Sequence, residues 1–226
     1  MANDLVVEKI TSIRQSGKKA YEEGTVKLFT GFSENLKSRF NLSALITQKM
    51  GCDLTRYIIG IDNSFQTDGY LPVLDFPIHT TILEAVWEAQ EKDCAKLFAG
   101  MKKEALPIAK KAGITEVMFS DIVLDGGGSV LLMADHIPDN ILELRYTLTE
   151  LYKKRGLRVL PMENILHSTL LRIRKLPANV SNFCQEVECL PYPYGPKGPK
   201  PEGGFLFWVK KFYIGSAWDL LTIRDW

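Results

Sequence analysis

One six-residue pattern occurs twice in this chain, in the last six residues of Phe76-Pro77-Ile78-His79-Thr80-Thr81-Ile82-Leu83 and of Asn164-Ile165-Leu166-His167-Ser168-Thr169-Leu170-Leu171. Each copy runs apolar, His, hydroxyl residue, Thr, apolar, apolar. Short runs rich in β-branched residues favour strands, and on a strand successive side chains alternate faces. His79 and Thr81 then share one face while Thr80 and Ile82 share the other, and the same parity joins His167 to Thr169. The fold must supply two like strands, each presenting an imidazole beside a hydroxyl. Serine and threonine make up about a tenth of residues in ordinary proteins. For two of the three histidines to have one at the second following position by chance is roughly a 3% event.

The rest of the chain reads as helices packed on strands. Residues 1–50 read as a helical extension: Leu5, Val6, Ile10 and Ile13 fall at helical spacing, Gly17 is a stop, and a second polar-apolar run extends to about Phe40. A core-facing stripe and an amphipathic partner helix give the same pattern. Arg56–Ile61 reads as a short strand, Thr67-Asp68-Gly69 as a turn, and Ile78–Leu83 as a second strand. Helical sequence runs on from about Glu84 to Lys111, with Pro107 kinking or ending a segment. Val117–Leu124 and Ser129–Met133 read as strands around Asp125-Gly126-Gly127-Gly128, a hairpin whose glycines suit positive φ. No Gly-Lys-Ser/Thr comes next to make a phosphate loop.

Asp139 is the expected N-cap of a helix reaching about Lys154. Ile165–Ile173 is the next strand, Val180–Glu188 a short helix, and Lys210–Ala217 a closing strand. The prolines and glycines of residues 191–204 make a loop, either a solvated connector, a lid or a proline-rich ligand.

Composition restricts function further. The 226 residues are 46% hydrophobic, with 28 basic and 27 acidic side chains, the balance of a globular protein. A net charge of +1 gives no global field to gather nucleic acid, so phosphate recognition must come from a local cluster. The N-terminal residues carry Asp4 and Glu8 within their apolar stretch, which argues against a signal peptide or membrane span and predicts a cytoplasmic protein. Cys52, Cys94, Cys184 and Cys189 lack C-x-x-C spacing and read as reduced structural thiols. Cys184 and Cys189 have no nearby histidine to complete a zinc site.

Two histidines facing one another can move two protons. One neutral imidazole accepts a proton from an attacking hydroxyl while the other, protonated, gives one to a leaving oxygen, roles suited to a pKa of about 6.5. The threonine hydroxyls can hold non-bridging oxygens as charge develops. This chemistry suits a phosphodiester and requires no metal cofactor. A mononuclear metal site would need a third ligand, which only His136 or a carboxylate such as Asp135 could supply. His136 lacks a hydroxyl two residues on and reads as a boundary residue.

The repeated His-x-Thr segments resemble those of the two-histidine phosphoesterase superfamily, which includes bacterial RNA ligase-like proteins and several cyclic phosphodiesterases. The likeness takes in a strand before the first histidine, the hairpin ending Ser129–Ala134, the helix from Asp139, the second motif ending in Arg172, and Lys211–Ser216, and covers roughly residues 55–226. The resemblance implies an α+β fold of two pseudo-symmetric lobes, each with an antiparallel sheet and flanking helices, around a central groove. The lobes would fall at roughly 51–115 and 116–226 within a 51–226 domain, after an extension, residues 1–50, that small family members lack. It implies His79 and His167 as the catalytic pair and Thr81 and Thr169 as phosphate binders.

The expected partner is a nucleotide or a short RNA bearing a 2′,3′-cyclic phosphate, a 2′-5′ linkage or a terminal phosphodiester. No membrane and no obligate protein partner are implied. A non-catalytic nucleotide- or RNA-binding module and a metal-dependent hydrolase are the alternatives. Arg172 matches an arginine often found five residues after the second histidine in the family, yet strict alternation places it away from His167 unless the strand bulges near Leu170. Tyr192 and Tyr194, in the proline-glycine loop, have the best claim among the aromatics to stack on a base. Lys153, Lys154, Arg155 and Arg158 read as a solvated helix end, with an RNA-backbone contact as the alternative.

Overall fold

The computed structural model describes residues 2–32, 38–50, 54–75, 78–88, 94–113, 115–161, 165–188 and 205–216. The elements are α1 (Ala2–Glu22), β1 (Arg39–Met50), α2 (Leu54–Phe65), α3 (Pro72–Asp75), β2 (His79–Val86), α4 (Cys94–Ala112) and β3 (Thr115–Leu124). They continue as β4 (Ser129–Ala134), α5 (Asp139–Lys154), β5 (Arg158–Val159), β6 (His167–Arg172), α6 (Val180–Glu188) and β7 (Phe205–Ser216). This is the expected mixture of helices and antiparallel sheet. The strands lie in the order β5-β2-β1-β7-β3-β4-β6, and every pairing is antiparallel. β7 is the seam: its first half pairs with β3 and most of its length with β1, joining the array β5-β2-β1 to the array β3-β4-β6.

Two segments differ from their sequence reading. Residues 39–50, expected within a helical extension, form β1, paired on both sides by β2 and β7. Apolar Phe40, Leu42 and Ala44 enter the core at period two, alternating with polar Asn41 and Ser43, and this alternation outweighs a helical periodicity that fades after α1. Arg56–Ile61, expected as a strand, lies inside α2, which buries Leu54, Ile58 and Ile61 at helical spacing. A short run of β-branched residues cannot by itself distinguish a strand from a buried helix face.

Smaller differences concern element boundaries. Glu84, expected at the start of a helix, belongs to β2, and α4 continues through Pro107. Asp139 is the first helical residue of α5, its N-cap being Pro138, so its charge acts on the helix dipole and not as a side-chain cap. The hairpin at 125–128 forms as expected: Gly128 has φ of 78°, and the Asp125 carboxylate accepts the Ser129 amide at 2.7 Å. The closing strand and α6 also form near their expected positions. The 191–204 loop lies outside the described residues.

One continuous core of Phe40, Leu42, Leu83, Ile122, Leu132, Leu148 and Phe183 runs beneath the whole sheet. Helix α1 divides its packing: Tyr21 enters this core against Phe183, while its first turns join a second cluster. Val6 and Ile10 bury against Val123, Leu131, Met133 and Ile165. Gly17 permits this docking: a Cβ there would lie 1.9 Å from the Leu124 carbonyl oxygen.

Candidate active site

The two motifs begin two strands, and their burial repeats residue by residue. From its histidine β2 alternates half-buried, buried, half-buried, buried and then stays buried at Leu83 before returning to half-buried at Glu84. β6 has the same order through Leu171 to Arg172. His79, Thr81, His167 and Thr169 are the half-buried members, whereas Thr80, Ser168, Ile82 and Leu170 are buried. The parity read from sequence thus describes both strands up to the threonine.

Beyond the threonine a bulge changes the pattern. On β2, Thr81 faces Ser43 and Leu83 faces Leu42, leaving Ile82 as the extra residue. On β6, Thr169 faces Leu131 and Leu171 faces Val130, leaving Leu170 as the extra residue. Each bulge shifts the residues after it to the opposite face. Glu84, opposite Asn41, and Arg172, opposite Ser129, therefore return to the face of their histidines. The simple alternation that would turn Arg172 away from His167 ends at the bulge.

The two strands meet at their histidines. The Ser168 hydroxyl donates to the backbone carbonyl of His79, so β2 and β6 are linked at His79 itself and at the residue next to His167. A buried arginine ties the strands from behind. Arg145 of α5 donates from Nε to the Ile82 carbonyl at 2.8 Å and from Nη2 to the Ile165 carbonyl at 3.4 Å. It thus satisfies the bulged residue of β2 and the segment leading into β6 together. Sequence reasoning misses this residue, which looks like one more charge on an amphipathic helix.

The two halves of the shared face differ in chemistry. Beside β2 the floor is polar: Asn41 and Ser43 are buried, and neither Asn41 Oδ1 nor Ser43 Oγ has a hydrogen-bond partner among the described residues. Glu84 accepts from Arg39 Nη1 at 2.8 Å. Beside β6 the floor is apolar, because Leu131 and Met133, which face Thr169 and His167, are capped by α1. Arg14 of α1 adds a 2.6 Å ion pair to Asp121.

Charge gathers at the far end of β6. Burial pulls the Arg172 guanidinium below its ordinary range, while Asp125 and Tyr70 act to raise it. Burial likewise holds the Asp125 carboxyl above the usual aspartate range, against the Ser129 and Gly127 amides and the charges of Arg172 and His167, which lower it. Asp125, which in the sequence reads only as a turn residue, therefore lies within the electrostatic reach of His167.

Away from this face, His136 Nδ1 lies 2.5 Å from Asp135 Oδ1 in the connection between β4 and α5. Among the described residues no group of three or more His, Cys, Asp or Glu is arranged to hold a metal ion. Cys184 is buried and free, and burial pushes its thiol up to about 11. In the basic run, Arg155 pairs with Glu104, Arg158 with Glu88, and Lys153 with Glu150, in keeping with a solvated helix end. Tyr192 and Tyr194 lie outside the described residues. Among the described residues no helix is long and apolar enough to cross a membrane.

No protein-family model matches the chain, and no curated protein matches it. Among solved structures it is similar to the crystal structure of the MHV ns2 PDE domain, at 13% identity and a TM-score of 0.40. That similarity covers 77% of this chain and 99% of the other.

Proposed function

We propose that the protein is a metal-independent phosphodiesterase that opens a 2′,3′-cyclic phosphate or cleaves a 2′-5′ or terminal RNA linkage. His79 and His167 are its acid-base pair, and Thr81 and Thr169 bind the phosphate. The observation that carries this reading is the recurrence of one strand design: motif, burial order and bulge repeat on β2 and β6, and the Ser168–His79 hydrogen bond holds the two copies together.

In the reaction, one neutral imidazole removes a proton from the attacking water or hydroxyl as its oxygen bonds to phosphorus. The other, as imidazolium, protonates the leaving oxygen as the second P–O bond breaks. Charge on the non-bridging oxygens is met by the two threonine hydroxyls, which need no reorganisation if the strands are already in register. After turnover the two imidazoles have exchanged protonation states, and exchange with solvent restores them.

The reading is tested by incubating the protein in EDTA with 2′,3′-cyclic nucleotides, 2′-5′ oligoadenylates and short RNAs ending in a cyclic phosphate, with products read by phosphorus NMR. Turnover of at least one of these, unchanged by EDTA, is expected. Loss of activity on chelation would favour a metal-dependent hydrolase. Saturable nucleotide binding without product would favour a binding module.

A further inference from the structure

Beyond the bulge, the β6 side of the site face carries a cluster that the proposed chemistry does not use. Tyr70 forms a two-way backbone bridge with Arg172, donating and accepting at 2.8 and 2.9 Å, so the two side chains share the face of His167 and Thr169. The segment after α1 crosses here, with the Phe29 amide bonded to the Ile173 carbonyl at 2.8 Å. Phe29 stacks on Tyr70, ring centroids 5.2 Å apart at 28°, and Phe32 meets both rings edge-on. The guanidinium carbons of Arg172 and Arg174 each lie 5.7 Å from the centroid of the Phe29 ring. All three rings remain half-buried and Arg174 is exposed.

A core cluster would have no use for two arginines at its open edge. At the corresponding position on β2, Glu84 stands where Arg172 stands, and Arg39 pairs with it. The site face therefore differs between its two ends. Its β6 end offers flat π faces and positive charge, the pairing that single-stranded nucleic acid binders use for a base and its backbone. The β4 partners of Thr169 and Arg172, Leu131 and Ser129, stand two residues apart, so the cluster lies about 7 Å along the strand from the phosphate-binding threonine.

We propose that Phe29, Tyr70, Arg172 and Arg174 form a subsite for a second nucleotide, its base on the aromatic shelf and its phosphate at the arginines. The preferred substrate is then an oligonucleotide end and not an isolated cyclic nucleotide. This deepens the phosphodiesterase reading and rests on it. The N-terminal segment, through Phe29, supplies part of the specificity.

The test uses a cyclic mononucleotide and a dinucleotide and tetranucleotide with the same cyclic-phosphate end. Adding one nucleotide should raise wild-type kcat/KM by about tenfold, within the range for one stacked base. Arg174→Ala and Phe29→Leu should each bring the dinucleotide-to-mononucleotide ratio down towards one, and Arg174→Ala changes an exposed residue without threatening the fold. A wild-type ratio near one, or a ratio that neither variant changes, would overturn the subsite. If no substrate in the series is turned over, the phosphodiesterase reading fails separately. Binding of fluorescent oligoribonucleotides then decides the subsite: tighter binding with length, weakened by both variants, supports it, and length-independent binding overturns it.

Discussion

Replacing either His79 or His167 by alanine is expected to lower kcat by about 10²- to 10⁴-fold, the usual contribution of one positioned acid or base. The double variant should be little worse than the poorer single one. Both imidazoles act on one in-line displacement, and once one proton transfer is lost the other has little left to accelerate, so the effects are strongly non-additive. Steady-state kinetics on whichever cyclic-phosphate substrate is turned over would check this. Losses that simply multiplied would mean two independent contributions. Full activity in either single variant would remove that histidine from the mechanism. Because both histidines are half-buried at strand starts, the variants should fold, and thermal unfolding would confirm it.

The second large effect concerns a residue that touches no substrate in this account. Arg145→Met should destabilise the protein by about 2–4 kcal/mol, since it leaves the Ile82 and Ile165 carbonyls without their buried donor. Urea unfolding would show a lower midpoint at similar slope. The same change should lower kcat even where the protein stays folded, because the Ile82 bulge and the approach to β6 set how the two motif strands meet. A variant as stable as wild type would show that methionine packing replaces both hydrogen bonds and that Arg145 does not organise the site.

The motif strands are the most legible part of the sequence because each is short, apolar on one side and marked by a rare residue. Their parity can be read as far as Thr81 and Thr169. The bulges cannot: Ile82 and Leu170 are ordinary apolar residues, and what makes them extra is the register of β1 and β4, a long-range property. For that reason strict alternation puts Arg172 on the wrong face and gives no reason to single out Glu84. β1 is hidden for a related reason. Its alternation of Phe40, Leu42 and Ala44 with Asn41 and Ser43 is clear in the folded sheet, but in the sequence it is a short run that follows a genuine helix. The Phe29–Tyr70 shelf joins segments far apart in sequence, and only the folded sheet brings them together.

The central claim is that two histidines, one neutral and one protonated, perform one displacement. It is tested most directly by the pH dependence of kcat/KM for the wild type and the two single variants, measured in EDTA on one cyclic-phosphate substrate. The account predicts a bell whose two limbs fall near the imidazole range. Residual activity in His79→Ala should keep one limb and lose the other, and His167→Ala should do the reverse. A wild-type profile that rises steadily with pH, or a bell unchanged in both variants, would contradict it.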